Sequence, residues 1–167
     1  MWLLVFLEYF KISNTKALLI NFSIAALICV SIFYYRDPIN FAKYIDQFVS
    51  NSTSVLSLLV GFTVAMFTLL ITASNPNIDE IKTVLTEFVL YNEKVSIYKM
   101  LLIKMVYIIL IESILLLFNL LYPFFFEATT RVGKIFFGID AFLTTHIILA
   151  NINNTVDLYF VLTKKNN

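Results

Sequence analysis

Five ionisable side chains stand inside or beside long apolar runs: Lys104 and Glu112 in one, Asp140, His146 and Asp157 in another. An ammonium, a carboxyl or an imidazole at such a position can hold an ion or pass a proton. Amides and hydroxyls are interleaved with them, among them Asn119, Thr144, Asn151, Asn153, Asn154 and Thr155. On a helix, Lys104, Glu112 and Asn119 fall within roughly 80° of one another. Asp140, Thr144, Asn151, Asn154 and Thr155 make a second stripe roughly 100° wide, and His146, Asn153 and Asp157 a third of roughly 40°. These residue types suit the binding or movement of charge. Bond-breaking chemistry has no comparable signal: there is no phosphate loop, GxGxxG, HExxH or CxxC. A single histidine and a single cysteine, Cys29, argue against the usual zinc sites. The sequence predicts neither an enzyme nor a bound metal or cofactor.

The elements that carry these residues are read from composition. Of 167 residues, 60% are apolar and only 14% charged, against roughly 25% charged in a soluble domain. The net charge of +1 gives no reason to expect nucleic-acid binding. Pro38, Pro76 and Pro123 each follow an apolar run, and proline does not continue a helix. Four apolar segments result, 17–35, 48–74, 100–122 and 135–162, each near the ~20 residues that cross a bilayer as a helix. The expected fold is all-α: a polytopic membrane protein with four transmembrane helices, short loops and a symmetric homo-oligomeric assembly. Residues 1–16, with Trp2, Phe6, Tyr9 and Phe10, read as a helix lying in the membrane interface.

Segment 75–99 reads as one amphipathic cytoplasmic helix. Asn77 is its expected N-cap, Asp79 and Glu80 suit its first turn, and Ile81, Val84, Leu85 and Phe88 repeat at helical spacing. That apolar face would dock a cytoplasmic partner. Lys11, Lys16, Lys82, Lys94, Lys99, Lys164 and Lys165 share the side of the termini, against Arg36, Lys43, Arg131 and Lys134 opposite. The positive-inside rule therefore predicts cytoplasmic termini.

The second span carries a small and hydroxyl stripe: Ser50, Ser54, Ser57, Gly61, Ala65, Thr68 and Thr72. Such a stripe serves either close helix packing or a hydrated pore. Glu112 lies about 20 Å from Lys99 by helical rise, deep in a ~30 Å core. Insertion scales charge at least ~2.5 kcal/mol for an ionisable residue there, so it should face a partner or water. Because the third and fourth spans are antiparallel, depth predicts that Lys104 faces Asp157 and Glu112 faces His146.

With four spans, little soluble mass and the second-helix stretch VGFTVAMFTLL (Val60 to Leu70), the chain resembles the small membrane effectors of bacterial anti-phage defence systems of the Kiwa and Hailong type. The resemblance lies in span layout and carries no residue roles. It implies an oligomeric inner-membrane effector, held closed until infection, that acts with a cytoplasmic partner or signal and depolarises the membrane. A channel or pore built from several copies is the leading expectation. A non-conducting anchor or sensor and a holin-like phage protein are the alternatives, and a small transporter fits less well because no inverted repeat is visible.

Overall fold

The computed structural model describes residues 2–35, 41–126 and 130–163, with only the backbone described at Trp2 and Tyr35. The turn at Pro38 and the basic residues Arg36, Lys164 and Lys165 lie outside the described residues. In chain order the elements are α1 (Trp2–Ile12), α2 (Thr15–Tyr35), α3 (Phe41–Thr72), α4 (Pro76–Thr83), β1 (Leu85–Leu90), β2 (Glu93–Ser96), α5 (Ile97–Phe125) and α6 (Arg131–Thr163).

Helices α2, α3, α5 and α6 are long and apolar enough to cross a membrane. All four are longer than the segments read from hydropathy. At 1.5 Å per residue, the 33 residues of α6 extend about 50 Å, so it projects beyond a ~30 Å hydrocarbon core or tilts within it. Pro123 does not end its helix. It sits in the last turn of α5, which runs on to Phe125. A proline there deprives only the Asn119 carbonyl of its helical donor, a small loss near a helix end where carbonyls go unpaired anyway.

α5 packs against both α3 and α6, α3 also touches α6, and α2 lies chiefly against α6, with its Phe33 ring 6.0 Å from that of Phe41 in α3. Gly138 of α6 is what lets α2 come close. A Cβ at that position would stand 3.1 Å from Phe33 Cε2, and Cys29 Sγ sits 3.4 Å from the Gly138 carbonyl oxygen. At the far end of the bundle, Phe41, Ile45, Val49, Tyr122 and Phe137 form a mostly aromatic core. At the other end, α1 packs on α5 through Tyr9, whose ring stacks on Tyr107 with centroids 3.6 Å apart. The outward face of α1 is apolar, with Leu3, Leu7 and Phe10 exposed, as expected of a helix resting at an interface.

The single amphipathic helix expected over 75–99 is replaced by three elements. Asn75, not Asn77, caps α4: its side chain accepts from the Asn77 backbone N–H at 2.9 Å, and Pro76 occupies the first turn, where a missing N–H costs nothing. α4 then stops at Thr83, and an antiparallel hairpin pairs Val89 with Lys94 and Leu90 with Glu93. The turn residues Tyr91 and Asn92 both have positive φ, 53° and 66°, as a two-residue type I′ turn requires. The alternation in Leu85–Leu90, a run containing Thr86, Phe88 and Val89, is a strand signal that competes with the helical spacing of the same residues. The strand wins because β1 docks beside α1, burying Leu90 and Val95 with Tyr9 and Ile12. Tyr91 Oη donates to Glu8 Oε1 at 2.8 Å, and that bond raises the Tyr91 phenol above its usual pKa. Ser96 then caps α5, its Oγ accepting from the Lys99 N–H.

The four residues expected to dock a partner are divided by this arrangement. Ile81 is buried on the inner face of α4 against Leu70, Leu101 and Leu158, and Phe88 is half-buried against the α1 core, while Val84 and Leu85 are exposed. They do not form one outward face.

Candidate functional site

The polar residues of the long helices collect where α3, α5 and α6 meet. Glu112, Asn119, Asp140, Thr144, His146, Asn151 and Asn154 are all buried, Glu112 completely. Five of them, with Ser52 and Thr63 of α3, form two clusters separated along the bundle, and His146 and Asn154 belong to neither. In the first, Asn151 Nδ2 donates to Glu112 Oε1. The Thr63 hydroxyl lies 3.3 Å from the same oxygen, 3.0 Å from Asn151 Oδ1 and 2.9 Å from the Leu59 carbonyl, and its one proton serves one of these acceptors at a time. In the second, Asn119 joins Ser52 of α3 to Asp140 of α6. With the amide turned so that every atom meets a complementary partner, its nitrogen donates to Asp140 at 3.0 Å and its oxygen accepts from Ser52 Oγ at 2.9 Å. Thr144 Oγ1 lies a further 3.4 Å from Asp140 Oδ1.

The pairings expected from depth divide. Lys104 Nζ lies 2.7 Å from Asp157 Oδ2, an ion pair that is part-exposed on both sides. Glu112 and His146 are not paired. Five residues separate His146 from Asn151 on α6, which turns the two toward different neighbours at about 100° per residue. Asn151 faces Glu112, whereas His146 turns toward α2 and the α1 side. The Phe22 ring lies 4.6 Å from the imidazole and the Tyr107 hydroxyl 3.3 Å from its Nε2. The Nδ1 atom has no partner among the described residues.

Neither Glu112 nor Asp140 has a cationic partner among the described residues. Burying either with its full charge therefore has no Coulombic compensation, and their amide and hydroxyl neighbours are the stabilising groups. Each cluster is a carboxyl with one or two donors, a set that can take up a proton or exchange a donor for a small cation. Among the described residues, no three His, Cys, Asp or Glu side chains group as metal ligands.

The stripe on α3 points the other way. Ser50, Ser54, Ser57, Gly61, Ala65, Thr68 and Thr72 are all exposed on the folded chain, and a Cβ at Gly61 would meet nothing within 4 Å. Four of the hydroxyls donate to the carbonyl one turn back: Ser54 to Ser50, Ser57 to Thr53, Thr68 to Val64 and Thr72 to Thr68. The residues that bind α3 to the seam, Ser52 and Thr63, lie on its opposite side with Leu56, Met66 and Leu70. Sequence reasoning missed both, because the conspicuous small-residue stripe drew attention from the apolar face in which they are embedded. It also missed Tyr107, which reads as one more apolar position of α5.

No protein family, curated protein or solved structure matches the chain.

Proposed function

We propose that the chain is the subunit of a homo-oligomeric channel in a bacterial inner membrane, with α3 facing the axis of the assembly. The observation that carries this reading is the exposure of all seven small and hydroxyl residues of that stripe on a helix whose other face is packed in the bundle. Back-bonded hydroxyls use their proton within the helix and leave oxygen lone pairs outward. A ring of such helices offers water and cations a narrow, oxygen-lined path. The seam through Glu112 and Asp140 then holds α3 rigidly on α5 and α6 instead of lining the path.

The excess of lysine at the hairpin end supports cytoplasmic termini, which places α1, α4 and the hairpin where a cytoplasmic signal or partner would act. In the defence setting that the span layout resembles, opening would depolarise the infected cell. A second reading, a non-conducting anchor, draws on the exposed apolar residues Leu85, Val89 and Tyr91 of the hairpin, which offer a partner protein a contact surface.

Ion flux from liposomes containing the purified chain tests the first reading. Gly61→Leu has room within the subunit, so it should leave helicity and thermal stability unchanged and cut flux at least ~10-fold, which corresponds to ~1.4 kcal/mol. An intact protein with no flux under any condition, or with flux indifferent to Gly61→Leu and Ser57→Leu, would leave the anchor reading in its place.

A further inference from the structure

Between the α1–α2 turn and the facing surfaces of α5 and α6 lies a cavity of about 330 Å³, lined by Tyr9, Ser13, Asn21, Lys104, Asn154 and Asp157 among others. Asn154 is 1% exposed, and neither its amide nitrogen nor its amide oxygen has a partner among the described residues. A buried amide left with both ends unsatisfied is uncommon and points to something that occupies the space beside it. The wall also carries one cation and one anion, Lys104 and Asp157, 2.7 Å apart and accessible at 22% and 42%. The site is thus neutral overall, bipolar, and supplied with amides that both donate and accept.

We propose that this cavity binds a zwitterion that carries a phosphate and a primary ammonium, the headgroup chemistry of an ethanolamine phospholipid. The phosphate would meet Lys104 and the Asn154 nitrogen. The ammonium would meet Asp157 and the Asn154 oxygen, so that ligand and ion pair exchange partners without adding net charge. A primary ammonium has N–H donors for those two acceptors and a quaternary one has none. A phosphoglycerol headgroup brings an anion toward Asp157 with no cation to offset it. The order of preference is therefore phosphoethanolamine over phosphocholine and phosphoglycerol. Depth fits a lipid source, since α1 exposes its apolar face at this end of the bundle and Lys104 lies about 7 Å along α5 from Lys99. The inference goes beyond the channel reading and stands whether or not the chain conducts.

Native mass spectrometry of the full chain, exchanged from nanodiscs of equal ethanolamine, choline and glycerol phospholipid, tests it. Ethanolamine lipid should be retained at least ~5-fold over the other two, and Asn154→Leu and Asp157→Asn should each abolish the preference. Circular dichroism and gel filtration verify that both variants fold. If Asn154→Leu fails to fold, Asp157→Asn and Asn21→Leu carry the test. Protection of the delipidated protein against heating by free glycerophosphoethanolamine, without retention of the lipid, would assign the same chemistry to a soluble ligand. Equal retention of all three lipids, a preference unchanged in the variants, or neither retention nor protection would overturn the proposal and leave a water-filled cavity.

Discussion

Glu112 concentrates its contacts on one oxygen: Oε1 receives Asn151 and lies beside Thr63, while Oε2 has no partner among the described residues. What the bundle needs at this position is therefore an acceptor. Glutamine keeps that acceptor at nearly the same volume, whereas leucine leaves the Asn151 amide buried without a partner. Glu112→Leu should cost about 1–3 kcal/mol in reversible SDS unfolding, and Glu112→Gln should lie much closer to the parent chain. Equal losses in the two variants would show that the carboxylate charge, not the acceptor, matters. The spacing of carboxyls and amides was legible at this scale, since Glu112, Asn119, Asp140 and Asn151 share the buried seam. Their partners were not legible, because the choice between His146 and Asn151 depends on the rotation of α6 about its own axis.

At the scale of elements, small residues decide how closely helices approach, and Gly61 and Gly138 act in opposite senses. Gly138 is filled against Phe33, and Gly61 is open. A β-branched residue at 138 should push α2 away from α6, the long helix against which it chiefly packs. Cys29, the sole thiol, reports that movement. In detergent, Gly138→Val should accelerate its labelling by N-ethylmaleimide several-fold without loss of helicity, and an unchanged rate would mean that Phe33 simply rotates aside. Span existence and order followed from hydropathy, whereas the hairpin did not. Ile81, Val84, Leu85 and Phe88 satisfy a helical period, and only the docking of Leu90 and Val95 against α1 makes the competing strand period prevail.

For the whole molecule, orientation and assembly each have a direct measurement. In a Cys29→Ser background, a membrane-impermeant maleimide applied to intact cells should label Lys134→Cys and spare Lys94→Cys. The reverse pattern would invert the topology and move the hairpin and the zwitterion cavity to the outer leaflet. For the proposed assembly, the exposed faces of α2 and α3 would supply a physical motive only in part. Apolar side chains such as Leu19, Leu27 and Leu58 are at ease in lipid, so the hydroxyl stripe of α3 is the face with most to gain from another copy.

The sequence by itself determined that four long helices can enter a bilayer and that carboxyls and amides lie within them, because segment length and the cost of exposing polar groups to hydrocarbon are local, additive properties. Tertiary structure alone decided which of those groups meet, that Ser52 and Thr63 complete the seam, that Asn154 lines a cavity, and that the α3 stripe is left uncovered. Those outcomes depend on helix rotation and crossing. Both are settled by side-chain packing between elements far apart in the chain, which no local period encodes.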